Sequence, residues 1–457
     1  MFCIRVPARH FAARQYILRV IFHEFLGLEH RVEQTSETHS TIIQRDDEGS
    51  DRAILILDEL LSATEDEWLS PNSLPKLPLK AYVPPTNWGF SANFSVPAIF
   101  AGAQTSSSGS TRIDFDLFGS AFFLLSRYEE IVCHERDKFG RFQAKDTIQF
   151  KSGTLNRPLV DEYTEILRRA IEACWPGTKF KQRKFRIIPT HDVDVPYEYL
   201  FVPTLRALRR AVTKGSVSQA ISYLKRWRKV RRGDDSSDRS FDALIRIMDL
   251  SERAGLQSRF YFLAGRTDAR FDGDYEVEHP RIRKLLRTIH DRGHLIGLHP
   301  SYGTLGKVDL LRDELNRVQK VCSEEGITQR EWSVRSHYLR WDSRHSFRDF
   351  ATVGFDFDST LMFAERVGFR CGTCHEFGVF DIGAETALPL REQPLIAMEL
   401  SLLGAMTENL PHSEAAKSLA DLKARCREVQ GQYIFLWHNS RFDSQADWDV
   451  YCEQLKA

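Results

Sequence analysis

Residues 187–196 read IIPTHDVDVP. Ile187 and Ile188 fit the end of a buried strand, and Asp192 and Asp194 follow with one residue between them. Carboxylates so close repel each other and are costly to desolvate. Either a well-capped turn holds them, or a cation does.

Outward from this stretch the pattern is regular. Apolar segments at 185–190, 258–264, 294–298, 331–336, 355–358, 394–400 and 432–437 are predicted strands, with helical patterns between most of them. Strands that alternate with helices predict a parallel sheet or barrel. Residues 185–457 approach the ~250 residues typical of a βα barrel, and strands covered on both faces read as continuous apolar runs. Upstream, residues 1–180 mix helices and strands and predict a smaller α/β domain, with KQRK at 181–184 as the boundary. AILIL at 53–57 reads as a buried strand and 114–131 as an aromatic-rich helix.

Lys+Arg and Asp+Glu are each 63 of 457 residues, so bulk charge gives no sign of a nucleic-acid partner. No apolar run approaches the ~20 residues of a membrane helix. Tyr16, Ile17, Val20, Ile21 and Phe25 share one helical face, interrupted as a run by Arg14 and Arg19. A core helix is expected there rather than a signal peptide. With no export signal read, the eight cysteines predict reduced thiols and a cytoplasmic protein. One segment departs from neutrality: residues 203–232 hold ten basic residues and no acidic one. A helical insertion of this kind is either a solvated face or a peripheral contact for a membrane or anionic lipid carrier.

Polar residues gather at the predicted strand ends. Asp192 and Asp194 follow the first strand, His299 the third, Arg335 and His337 the fourth, and His438 the last; Asp356 and Asp358 lie on or after the fifth. Barrel active sites are built at that edge. Asp and His can hold a divalent metal with an open position for water. Such a metal acidifies its water and polarises a carbonyl, while a second carboxylate and a His move protons. A metal together with Arg335 would offset the Asp192–Asp194 repulsion.

Five segments in order, THDVD, GHLIGLHPSY, RSHYLRW, GFDFDSTL and IFLWHN, resemble the motif series of polysaccharide deacetylases of the NodB-homology type, carbohydrate esterase family 4. LFGSAFFLLSRYEE, DKFGRF and NRPLVDEY resemble the N-terminal domain of a bacterial subgroup of that family. The resemblance implies a distorted (β/α)7 barrel over 185–457 and a zinc-type metal, with cobalt, nickel or manganese as alternatives. The implied substrate is an acetylated amino sugar in a glycan or glycan precursor. It implies Asp192 as catalytic base and Asp194 as metal ligand, with the roles exchangeable because Val193 separates two residues that are adjacent in the family. His299 matches the first metal His. The second falls on Gly303, which leaves His337, two residues beyond the matching Arg335, as either the replacement ligand or a structural ring. Arg335 would orient Asp192, His438 would be the general acid with Asp358 holding it, and Leu436 would line the acyl pocket. Tyr338 and Arg370 join these as substrate-facing positions.

Other readings compete. CGTCH at 371–375 has the form of a c-type haem attachment, but that needs export, and a lone CxxC is a poor zinc site. DVDV also fits a DxD phosphatase or glycosyltransferase, though neither calls for His299, Arg335 and His438 at other strand ends. A third reading keeps the barrel as a non-catalytic carbohydrate-binding module.

Overall fold

The computed structural model describes all residues except 37–39, 46–51, 102–110, 203–208, 210–212, 214–216 and 457. The fold is mixed α/β with several sheets. The first sheet uses β1 (Phe2–Pro7), β2 (His30–Thr35), β3 (Ser40–Arg45) and β4 (Ala53–Leu57). A two-stranded ribbon of β5 (Lys80–Tyr82) and β6 (Val96–Ala98) precedes β7 (Thr111–Ile113), which joins the first sheet in the order β2-β1-β3-β4-β7. AILIL is β4, with Ile54 and Ile56 buried. The helix Phe11–Leu18 continues as a wider π-helical stretch, Arg19–Leu26, and Tyr16, Ile17, Val20, Ile21 and Phe25 are all buried.

The aromatic-rich segment forms two helices rather than one, Leu117–Leu125 and Tyr128–Val132. Arg127 breaks them with a φ of 58° and turns its guanidinium inward, donating to Glu130 at 2.9 Å and to the Leu124 carbonyl at 2.9 Å.

The second sheet has nine strands: β8 (Arg186–Val193), β9 (Arg259–Leu263), β10 (Leu295–His299), β11 (Ser333–Val334), β12 (Phe357–Asp358), β13 (Phe377–Asp381), β14 (Thr386–Glu392), β15 (Ala397–Met398) and β16 (Gln432–Leu436). Their order is β13-β14-β12-β11-β10-β9-β8-β16-β15. All pairs are parallel except β13 with β14. Each of the seven segments expected as strands overlaps one. The β13–β14 hairpin was not anticipated.

This sheet cannot be flat. From β14 to β15 there are seven inter-strand steps, about 34 Å at ~4.8 Å each. Yet β14 ends at Glu392 and β15 begins at Ala397, a link that reaches at most about 18 Å. The sheet therefore curls, and its two ends approach. Arg259 of β9 crosses the concave side, donating to the Gln393 side chain at 2.8 Å. The described ladders contain no pairing that closes the ring.

Helices Arg239–Arg253, Pro280–Asp291, Val308–Glu324 and Gln445–Leu455 bury apolar stripes, among them Leu244, Ile247, Leu285, Ile289, Leu315 and Val318. Strand alternation separates two environments. On β8, Thr190 and Asp192 both reach Arg335 on the concave side. His191 instead donates to the Trp437 carbonyl at 2.8 Å and lies beside Tyr451 of the last helix. Part of the basic insertion lies outside the described residues; the described part includes the helix Val217–Arg231, with Val217 and Ile221 exposed. No described helix is long and apolar enough to cross a membrane.

Candidate active site

Curling brings the C-terminal ends of β8, β10, β11 and β16 around one centre. Asp192 is buried on β8, and its Oδ1 accepts from Arg335 Nη1 at 3.1 Å. Arg335 is fully buried and otherwise anchored: Nη1 donates to Thr190 Oγ1 at 2.8 Å, Nε to the Ser359 carbonyl at 2.9 Å and Nη2 to Ser359 Oγ at 3.0 Å. Its guanidinium lies 4.4 Å from the ring centre of Tyr261. This arginine is the first counter-charge to the DVD pair.

The second is a set of imidazoles. Asp194 Oδ1 lies 3.4 Å from His299 Nε2 and 3.7 Å from His337 Nε2, and its Oδ2 lies 3.7 Å from His438 Nε2. Burial opposes ionisation of Asp194, but His337, His299 and His438 outweigh it and hold the carboxyl well below its usual range.

Asp194, His299 and His337 each offer one ligand atom, and these atoms lie within 4.8 Å of one another. Three features fit the set to a divalent cation. Asp194 Oδ1 is buried without a hydrogen bond. His299 donates Nδ1–H to the Arg335 carbonyl at 2.5 Å, and His337 directs Nδ1 at Asp272 Oδ1, 3.0 Å away. With each Nδ1 turned to an acceptor, a neutral ring presents its Nε2 lone pair inward, the tautomer that ligating histidines need. Asp272 is itself fixed by the backbone N–H groups of Thr267, Asp268 and Tyr302, each at 2.8 Å.

His337, not residue 303, stands with Asp194 and His299 in this group. A Cβ at residue 303 would lie 2.8 Å from Thr267 Oγ1 and 2.9 Å from Thr267 Cβ, so that position is closed to a side chain without rearrangement.

Across the site, His438 Nδ1 pairs with Glu399 Oε1 at 2.6 Å, and its backbone N–H donates to the same oxygen at 3.2 Å. Burial works against the imidazolium, but Glu399 and then Asp194 and Asp192 raise His438 to about 9. This corrects the expectation for Asp358. Its Oδ1 accepts from the Thr360 N–H and hydroxyl at 2.8 and 2.5 Å, and it shares a buried acid pair with Glu392. Burial raises Asp358 to about 6 and Glu392 well above its usual range. Asp356 is exposed and accepts from the Trp332 N–H, remote from the imidazoles.

Leu436 packs with Leu339, Met362, Leu395, Met398 and Ile434 in an apolar cluster distinct from the main core. Tyr338 stands beside His337, ring centres 4.8 Å apart, and is partly exposed.

Arg370 is not at the site, which corrects its expected role. It is buried, donates to Glu130 at 3.0 and 2.6 Å and to the Met362 carbonyl at 3.0 Å, and so joins the two sheets. The CGTCH loop is packed at the same seam. Thr373 Oγ1 and Cys374 N donate to Asp161 at 2.6 and 3.2 Å, both thiols are free and buried, and burial pushes them well up.

Sequence reasoning missed Glu399 and Asp272. Glu399 follows the strand LIAM and obeys the same strand-end rule as the others. Asp272 lies in the long loop after β9, where no periodicity marks it.

Residues 2–176 match the profile of a family of unknown function, DUF7033. A search of curated proteins by sequence returns no match. Among solved structures, one from Mycobacterium smegmatis, provisionally named a polysaccharide deacetylase, is 16% identical with a TM-score of 0.39, covering 62% of this chain and 84% of that one.

Proposed function

We propose that this protein is a metal-dependent hydrolase of a carbon–nitrogen bond, removing the N-acetyl group of an amino sugar. In this reading residues 185–457 are a distorted (β/α)7 barrel of the NodB type behind an N-terminal domain of residues 1–180. One observation carries it. A buried carboxylate oxygen without a hydrogen bond, Asp194 Oδ1, faces two imidazoles whose far nitrogens are tied back, with a separate carboxylate on one side and a separate imidazole on the other.

Asp194, His299 and His337 would hold one divalent cation, zinc in the first instance. Bound there, such an ion supplies Lewis acidity toward an amide carbonyl and brings the pKa of water toward ~7. Asp192 Oδ2, the oxygen that Arg335 leaves free, accepts the proton of the attacking water. Arg335 holds that carboxylate in place. The water oxygen bonds to the amide carbon. His438 Nε2–H then delivers a proton to the amide nitrogen as the C–N bond breaks, giving acetate and a free amine. Glu399 keeps His438 protonated and oriented for that step. Leu436, Met362 and Met398 give the acyl methyl an apolar wall.

The substrate is a glycan or a nucleotide- or lipid-linked glycan precursor, met in the cytoplasm, with residues 203–232 as a peripheral contact to lipid. The test is metal content together with acetate release from acetylated amino sugars. Near-stoichiometric metal, lost in His299→Ala and His337→Ala, is expected. A protein that takes up no zinc, cobalt, nickel or manganese when supplied is a binding module instead.

A further inference from the structure

The first half of the chain reaches the segment that carries His337. Residues 137–142, DKFGRF, form a tight turn: the Asp137 N–H donates to the Arg141 carbonyl at 2.9 Å and the Gly140 N–H to the Asp137 carbonyl at 2.9 Å. Asp137 Oδ1 caps the Phe139 and Arg141 N–H groups at 2.8 and 2.9 Å, and its Oδ2 accepts from Arg141 Nε at 2.8 Å. The Arg141 guanidinium is thus fixed within its own turn. Just downstream, Phe142 and Ala144 bury against Phe363, and the Ala144 N–H donates to Glu365 Oε1 at 2.7 Å. One side of the turn is therefore anchored to the second half of the chain.

The other side holds the segment after β11. Arg141 Nη1 donates to the Tyr338 carbonyl at 3.0 Å, and Arg340 Nε donates to the Phe139 carbonyl at 2.8 Å. What they hold is strained. Tyr338 has φ 62° and ψ 15°, and Leu339 follows with φ 52°. Two bulky residues in succession at positive φ are costly, and such a pair persists only where its surroundings impose it. Released to negative φ, residues 338 and 339 could not close the same turn from His337 to Arg340, and His337 would move with the segment.

A second route leads from the turn to the same ring. Arg340 also donates to the Tyr302 carbonyl, in the loop that follows His299. The Tyr302 N–H donates to Asp272 Oδ1 at 2.8 Å, the oxygen that His337 Nδ1 meets at 3.0 Å. The backbone beside His337 and the acceptor behind it are both tied to residues 137–142.

We propose that Arg141 is a positioning residue of the metal centre: it holds Tyr338–Leu339 in its strained form and so keeps His337 Nε2 turned toward Asp194 and His299. The first half of the chain then has a task in the chemistry of the second, because a metal ligand is held from across the seam. This rests on the metal-centre reading above.

The test is zinc affinity of the full-length protein by chelator competition. Arg141→Ala should weaken zinc about tenfold. Glycine adopts positive φ without strain, so in a Tyr338→Gly background the same change should cost under about threefold. That rescue separates positioning from general loosening, which glycine would aggravate rather than cancel. Arg141→Lys, whose single ammonium cannot serve Asp137 and the Tyr338 carbonyl together, carries the same comparison where Arg141→Ala fails to fold. Zinc held as tightly by the Arg141 variants as by wild type, or lost equally in both backgrounds, overturns the positioning role and leaves the metal centre standing. A wild type that takes up no zinc overturns both.

Discussion

At the seam between the two sheets, Arg127 and Arg370 close on both oxygens of Glu130 at 2.6–3.0 Å. At the strand ends, Asp194 Oδ1 has imidazole edges at 3.4 and 3.7 Å and no hydrogen bond. Both regions bury ionised groups. At the seam Glu130 meets its counter-charges within the chain, and burial, which would raise its pKa, is outweighed by Arg370 and Arg127. At the strand ends the protein aims ligand atoms at one another and stops short. A buried polar atom left without a partner is costly, so an arrangement that leaves one while tying back its neighbours suits a bound cation. The same residue types thus serve cohesion in one place and chemistry in the other.

The contrast can be broken most sharply at Asp192. Asp192→Asn should cut turnover by about 10²–10⁴-fold with metal content and unfolding midpoint near wild type; wild-type-like activity would remove Asp192 from the mechanism. The matching change at the seam, Glu130→Ala, strands two buried guanidinium groups. It should cost about 3–5 kcal/mol of stability in denaturant titration, and a loss under about 1 kcal/mol would mean that this network is not what joins the halves. Asp272→Ala should weaken metal affinity about 10–100-fold in a chelator competition, because His337 loses the acceptor that orients it.

A last test sharpens the seam itself, where two carboxyls titrate with opposite sign. Burial raises Asp161 to about 7, against the Thr373 and Cys374 hydrogen bonds that lower it. Its folded value exceeds its unfolded one, so its stabilisation is complete below about pH 4 and is lost as pH rises to about 7. Glu130, held low in the folded state, stabilises above its ordinary range, and that contribution is lost as pH falls. Unfolding free energies measured from pH 4 to 7 should therefore fall less steeply in Asp161→Asn, by about 1.4 kcal/mol per pH unit at most. An unchanged slope would show that Asp161 is ionised in the fold.

Much of the second sheet was legible because its strands are buried on both faces and stand out as apolar runs. The β13–β14 hairpin was not, since in TALPLRE only Leu390 and Glu392 are buried and no apolar run marks the strand. Single strand ends were informative only jointly: Asp192, Asp194, His299, Arg335, His337 and His438 gather, whereas Asp356 does not. Partners of a site are harder to read than the site. Glu399, just after β15, and Asp272, in the loop after β9, hold the imidazoles from separate parts of the chain, and Asp358, the acid nearest in expectation, is occupied by Thr360 and Glu392. Arg370 was misplaced because its partner, Glu130, is 240 residues away in sequence.

Arg335 has a consequence for how this centre could fail. Its side chain sets the carboxylate of Asp192, and its own carbonyl sets the ring of His299. Proton acceptance and cation affinity therefore share a single pivot. A shift of that backbone by a few tenths of an ångström would detune both together, so variants at or beneath residue 335 should move between two behaviours, competent and inert, with few graded states between them.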